Sequence, residues 1–209
     1  MPRKLIDISH EIEAGMVTYP GLPAPAVSDH MSREASRRLY AGGTTFQIGR
    51  IEMIANTGTY VDAPFHRFGD GVDLAELPLE RLADLAGIVI DVTQRQSRAI
   101  DLNQFERFNL RGRAVLIRTG WDVHWRTPQY GEDAPFLTRR AAEHLVKVEP
   151  ALVGIDSVNI DNRFDGTRPV HTLLLGAGIP VVEHLCNLDK LPSSGFRFHC
   201  VPVKFRGVG

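Results

Sequence analysis

With 209 residues, 43% of them hydrophobic, the chain can bury a sizeable core and falls within the range of one domain spanning 1–209. Lys and Arg number 24 against 25 Asp and Glu, a formal net charge of −1, so no global attraction to a polyanion exists and no nucleic-acid partner is expected. The longest apolar runs, "GIVIDV" at 87–92 and "GIPVV" at 178–182, fall far short of the roughly 20 residues that cross a bilayer, and "MPRKLIDISHEIEAG" lacks the apolar centre of a secretory signal. The expectation is a cytoplasmic protein with no membrane partner. Cys186 and Cys200 lack CxxC spacing, are too few for a disulfide framework, and read as small buried apolar residues.

In chain order, "KLIDISHEI" (4–12) alternates Ile6, Ile8 and Ile12 with Asp7, Ser9 and Glu11, which predicts a strand with one buried face. The charged stretch "MSREASRRLY" (31–40) reads as a solvated helix or a lid over a site. In "FQIGRIEMIANTGTYVDA" (46–63), Phe46 and Ile48 share one parity and Ile51 and Met53 the other, with Gly49 between them as a bulge or a close backbone approach. "GIVIDV", "AVLIRTGW" (114–121), "ALVGIDSV" (151–158) and "IPVVEHL" (179–185) are apolar, β-branched and bounded by turn residues, and read as buried strands.

Two helices are signalled less evenly. "LNQFERFN" (102–109) has only Asp101 as an N-cap, whereas Thr138 caps "RRAAEHLVKV" and Ala141, Ala142, Leu145 and Val146 form one apolar face. Trp121 and Trp125 read as core or interface residues, and Asp156 and Asp161 in "GIDSVNID" as anchors of the turn after a strand. "FRFHCVPVKF" (196–205) changes face at Cys200 and Val201, just before Pro202, as a bulge or an edge strand does. The sum is a β-rich α/β domain with a few outer helices.

Chemistry-bearing residues gather in two places. In "NTGTYVDAPFH" (56–66), Gly58 and Pro64 fix a loop rather than a continuous strand, and Asp62 and His66 lie four apart. Asp62 serves equally well to close that turn through backbone hydrogen bonds, and a lone histidine such as His66 is more often structural than catalytic. In "DGTRPVHTLLLGAGIPVVEHLCNLDKLP" (165–192), His171 and Glu183 meet at one end of the sheet if "HTLLLG" is a short helix and "IPVVEHL" a strand. Imidazole with carboxylate suits zinc, manganese or iron, and a carboxylate after so apolar a run needs a partner when buried. His184 points to the opposite face of such a strand and reads as structural.

"NTGTYVDAPFH" resembles HxGTHxDxPxH, the signature of the cyclase family of metal-dependent hydrolases, which includes bacterial kynurenine formamidases and isatin hydrolases. "TYPGLP" (18–23), "LIRTGW", "GIDSVNID", "VHTLLLGAGIPVVEHLCNLDKLP" and "FRFHCVPVKF" follow in the family's order over nearly the whole chain. The resemblance implies a swivelling β/β/α domain, a homodimer or tetramer with pocket walls partly supplied by a neighbouring subunit, a small-molecule substrate, and a place in tryptophan catabolism. It assigns Asp62, His171 and Glu183 to metal, His66 to acid/base work and Tyr19 to substrate contact, although Tyr19 is equally suited to simple packing.

The departure from the signature lies at Asn56 and Tyr60, which stand where the family has two histidines. An asparagine carbonyl is a weak neutral ligand, and a tyrosine binds a transition metal well only as phenolate. The first metal position is therefore expected to be lost, leaving one Zn or Mn ion on Asp62, His171 and Glu183 and no organic cofactor. In this version Tyr60 and Asn56 donate hydrogen bonds to the developing oxyanion, although Tyr60 is equally suited to packing against the sheet. The alternatives are a metal-free acid/base cyclase, lyase or isomerase built on the same groups, and a non-catalytic small-molecule-binding member of the family.

Overall fold

The computed structural model describes residues 4–19 and 21–209 in two compact units, residues 4–10 with 58–209, and residues 11–57. Pro20 of the "TYPGLP" segment and residues 1–3 of the N-terminal stretch lie outside the described residues.

The smaller unit is built on a two-stranded antiparallel ribbon, β1 (Ala26–Met31) and β2 (Ile48–Glu52), with the short helix α1 (Arg33–Arg37) between them. The helix expected in 31–40 starts at Ser32, whose side chain accepts from the Ala35 N–H. Val27 pairs with Ile51 and Asp29 with Gly49, but Met31 pairs with Ile48, so one extra residue bulges out of β1. The irregularity expected at Gly49 therefore sits on the partner strand. Strand β1 carries no clear alternation, and nearly every residue of the ribbon is exposed.

The larger unit holds β3 (Tyr60–Asp62), β4 (Leu85–Asp91), β5 (Ala99–Ile100), β6 (Ala114–Arg118), β7 (Phe136–Leu137), helix α2 (Arg139–Val148), β8 (Leu152–Ile155), helix α3 (Pro169–Gly176), β9 (Val181–Glu183) and β10 (Ser194–Phe198). A six-stranded sheet runs β10-β4-β6-β8-β9-β3, with the four central strands parallel and both edge strands antiparallel. Parallel strands covered on both faces need apolar side chains at both parities, which is why these segments read as continuous hydrophobic runs. Val115 and Ile117 pack with Ala141, Ala142 and Leu145 of α2 and Val170 and Leu174 of α3, while Ala114 and Leu116 pack with Leu152, Val182, Leu185 and Val61 on the other face. The result is the expected β-rich α/β architecture with few helices, and no helix among the described residues is long and apolar enough to cross a membrane.

Three expected elements differ. Residues 4–12 join no ladder, because their backbone bonds to loops instead: Cys186 N–H donates to Ile8 O over 3.0 Å and Asn187 Nδ2 to Asp7 O over 2.9 Å. The helix expected over 102–109 shrinks to the 3-10 turn Leu102–Gln104, and its supposed cap Asp101 accepts from Thr138 Oγ1 at 2.7 Å. Strand β10 is an edge strand, but its irregularity falls between Ser194 and Phe196 rather than at Cys200. Cys186 is buried and Cys200 only partly so.

Helix α2 matches its expected bounds, with the Thr138 side chain accepting from Ala141 N–H. Asp156 anchors the turn after β6 by accepting from Thr119 N–H, Thr119 Oγ1 and Gly120 N–H. Burial pushes its carboxyl up to about 6 despite those donors.

Candidate active site

The site is organised by strand parity. Tyr60, Val61 and Asp62 pair with Glu183, Val182 and Val181 across the β3–β9 edge. Val61 and Val182 fall on one face, so Tyr60, Asp62 and Glu183 share the opposite one, the face on which α3 packs and from which it presents His171. Asp62 closes a three-residue strand rather than lying in a loop. The turn comes after it, where Pro64 opens the 3-10 segment Pro64–His66 and Phe65 N–H donates to Val72 O. A side chain on Gly71 would collide with the Pro64 and Phe65 backbone, so that position has room only for glycine. Gly58, with φ +69, turns the chain just before β3.

His171 is the hub. Its Nε2 lies 3.4 Å from Asp62 Oδ2 and 3.5 Å from Glu183 Oε1, and its Nδ1 lies 2.6 Å from Asp161 Oδ2. His66 Nδ1 stands 3.6 Å from Asp62 Oδ1, and its ring is 37% exposed at the rim. Glu183 is fully buried and accepts from Tyr60 OH at 2.5 Å, Ile160 N–H at 2.6 Å and Asn159 Nδ2 at 3.4 Å. The partner that a carboxylate at this position requires is thus supplied three times over.

Charge in the site is out of balance. Three buried carboxylates, Asp62, Asp161 and Glu183, surround one imidazole. Burial pushes Glu183 up to about 7; nearby Asp62 adds to the rise, while His171 and the hydrogen bonds from Tyr60 and Ile160 oppose it. Burial alone would lower His171, yet Glu183, Asp161 and Asp62 outweigh it and push the ring up to about 10. Buried negative charge drives the rise of His171 and adds to that of Glu183, which burial leads, and a cation would offset that charge.

The donor set fits a divalent metal. His171 Nε2 stands 3.4 and 3.5 Å from its Asp62 and Glu183 partners, close to the about 3.4 Å between ligand atoms of a tetrahedral ion held at about 2.1 Å. Asp62, His66 and His171 each offer an atom within 4.8 Å of the others. An imidazole whose second nitrogen is held by a carboxylate is the usual state of a metal-ligating histidine.

Asp62, His66, His171, Glu183 and Tyr60 are therefore brought together. The hydroxyl proton of Tyr60, a residue expected either to serve an oxyanion or to pack against the sheet, is donated to Glu183. Tyr19 and Asn56 belong to the smaller unit, where Thr18 Oγ1 donates to Asn56 O over 3.3 Å and joins the two segments. His184 is structural, fully buried with Nδ1 3.0 Å from Tyr130 OH and its ring 5.2 Å from that of Tyr60. Trp125 packs in the same cluster, stacked on His10 at 3.9 Å, and Trp121 Nε1 donates to Tyr130 O. Sequence reasoning missed Asn159 and gave Asp161 only a turn-closing role. Their one signal is the polar "N-I-D" that follows a buried strand.

A family model described as "Putative cyclase" matches residues 6–162. The kynurenine formamidase of Bacillus cytotoxicus is 30% identical over 199 residues, covering 95% of this chain and 89% of that protein, and that of Bacillus cereus is 28% identical with the same coverage. Among solved structures, a "Potential Metal-Dependent Hydrolase With Cyclase Activity" matches with TM-score 0.71 at 26% identity, over 98% of this chain and 92% of that one. Isatin hydrolase A from Labrenzia aggregata shares the fold, with TM-score 0.79 at 21% identity, over 97% and 88% of the two chains.

Proposed function

Because the chain belongs to the cyclase family of hydrolases, we propose that it hydrolyses the C–N bond of a small amide, formamide or lactam, as a kynurenine formamidase does, with one Zn or Mn ion and a histidine acid/base. The observation that carries this reading is His171 Nε2 facing two buried carboxylates at 3.4 and 3.5 Å. Asp62, His171 and Glu183 would hold the ion. When bound, it would lower the pKa of a water and polarise the substrate carbonyl.

His66, at the exposed rim beside Asp62, would take a proton from the attacking water as its oxygen joins the carbonyl carbon and return it to the leaving nitrogen as the C–N bond breaks. Asp62 orients the His66 ring from a position 99% shielded from solvent. Hydrogen bonds from Tyr60, Asn159 and the Ile160 N–H favour the ionised form of Glu183 against its burial. Tyr19 and Asn56 are the proposed substrate contacts, the working assembly a homo-oligomer, and the compartment the cytoplasm.

Metal content measured by ICP-MS on protein purified without chelator or affinity tag tests the reading. About one equivalent of Zn or Mn, lost in Asp62→Ala and His171→Ala, is expected, with turnover of N-formylkynurenine or isatin lost alongside. No bound metal at any pH from 6 to 9 would sink it and leave metal-free acid/base chemistry or ligand binding.

A further inference from the structure

We propose that Asp161 is the positioning residue of the site, fixing which nitrogen of His171 carries a proton and where the other one points. Asp161 is 2% exposed and lies in the loop after β8. Its Oδ1 accepts from Val170 N–H at 2.7 Å. Its Oδ2 accepts from His171 N–H at 3.0 Å and faces His171 Nδ1 at 2.6 Å. One carboxylate thus grips the backbone and the ring of the same residue.

The local sequence leaves this task to Asp161. Helix α3 begins behind Arg168, whose backbone is left-handed (φ 46, ψ 57) and whose side chain makes no capping bond, while Pro169 contributes no N–H at the first helical position. The Val170 and His171 N–H groups are the ones that need an acceptor, and Asp161 reaches them from nine and ten residues away. A helix cap requires only those two bonds. The third, to Nδ1, is beyond what capping needs, and an ionised carboxylate can only accept there. Nδ1 is therefore the nitrogen that donates to Asp161, and Nε2 the nitrogen left to face a ligand.

That nitrogen is the one aimed at Asp62 Oδ2 and Glu183 Oε1. The inference deepens the proposed metal site and rests on it for its consequence, but the hydrogen bond can be read without any ion. The experiment uses the full chain with ring-15N histidine, first free of metal and then titrated with Zn against a competing chelator.

In wild type, a ring N–H protected from solvent exchange, traced to His171 by its disappearance in His171→Gln and to Nδ1 by the pattern of its long-range ring 15N–1H couplings, is expected in both states. In Asp161→Asn that signal is lost and Zn binding weakens about 10–100-fold. Absence of a protected Nδ1–H in wild type overturns the proposal without recourse to a variant that could fail to fold. So does Asp161→Asn with unchanged Zn affinity, since a helix cap alone would account for that. A wild type showing the Nδ1–H but taking up no Zn would uphold the hydrogen bond while overturning the metal reading.

Discussion

Tyr60 and Glu183 face each other across the β3–β9 edge, and the phenol donates to Glu183 Oε2 over 2.5 Å. The tyrosine that stands where the family signature has a histidine thus satisfies a fully buried carboxylate. A phenol can meet one lone pair of Glu183 with a single proton and no ion, which supports the proposal of one ion rather than two.

Replacing Tyr60 with Phe removes that donor and leaves the ring in place. A hydrogen bond to a charged group is worth about 1.5–3 kcal/mol, and the loss applies in full only when Glu183 is ionised. Glu183 is raised to about 7 in the folded chain, from an ordinary value of 4.5. A raised carboxyl contributes stability that is fully present below the unfolded value and is lost as pH rises through the folded one. Urea unfolding of metal-free protein is therefore expected to show Tyr60→Phe destabilised more at pH 8 than at pH 5. Equal losses at the two pH values would count against an ionised Glu183 as the acceptor.

His66→Gln separates proton transfer from metal binding. The ring is 37% exposed and lies 3.6 Å from Asp62, whereas His171 is buried among three carboxylates. The variant is expected to keep Zn affinity within about threefold while kcat falls by 10²–10⁴, the usual contribution of a general acid/base. A loss of affinity comparable to that of His171→Ala would instead make His66 a ligand, a role its position beside Asp62 also permits.

His184 makes the interior sensitive to acid. Burial and the nearby His10 hold its ring down to about 3, and burial with the charge of Arg126 holds His10 down to about 4. A depressed histidine is neutral in the fold but protonated when unfolded between its two pKa values, so its stabilisation is lost as pH falls below about 6.5. Glu183 and Asp156, both raised, slope the other way and mask this in wild type alone. The comparison with His184→Gln isolates it. Wild type is expected to lose ground to the variant by about 1.4 kcal/mol per pH unit from pH 6.5 towards 4; a constant difference would mean that His184 does not titrate in this window.

The ribbon of the smaller unit bears on assembly. Val27 and Ile51 are cross-strand partners, 51% and 66% exposed, and an apolar pair on a two-stranded ribbon is costly to leave in water. Sedimentation velocity is expected to report a homo-oligomer for wild type and a smaller species for Ile51→Glu. A monomeric wild type would remove the assembly from the proposal.

By itself the sequence determined the elements whose signals are local. The Thr138 cap with Ala141, Ala142 and Leu145 marked helix α2, and the apolar runs marked β4, β6, β8 and β9, because capping and burial on two faces depend on neighbouring residues. It likewise carried Asp62, His66, His171 and Glu183 in recognisable segments. Tertiary structure alone decided their geometry. The antiparallel register of β3 on β9 sets Tyr60 opposite Glu183, 123 residues away, and packing of α3 brings His171 Nε2 between Asp62 and Glu183. Residues 4–12 carried a strand's alternation but bond to a loop near residue 186, since alternation marks a buried face and not a ladder partner. Asp161 stayed hidden in a turn for a similar reason: a carboxylate reaching both a helix terminus and an imidazole nitrogen is a relation among three directions in space, which spacing along a chain does not encode.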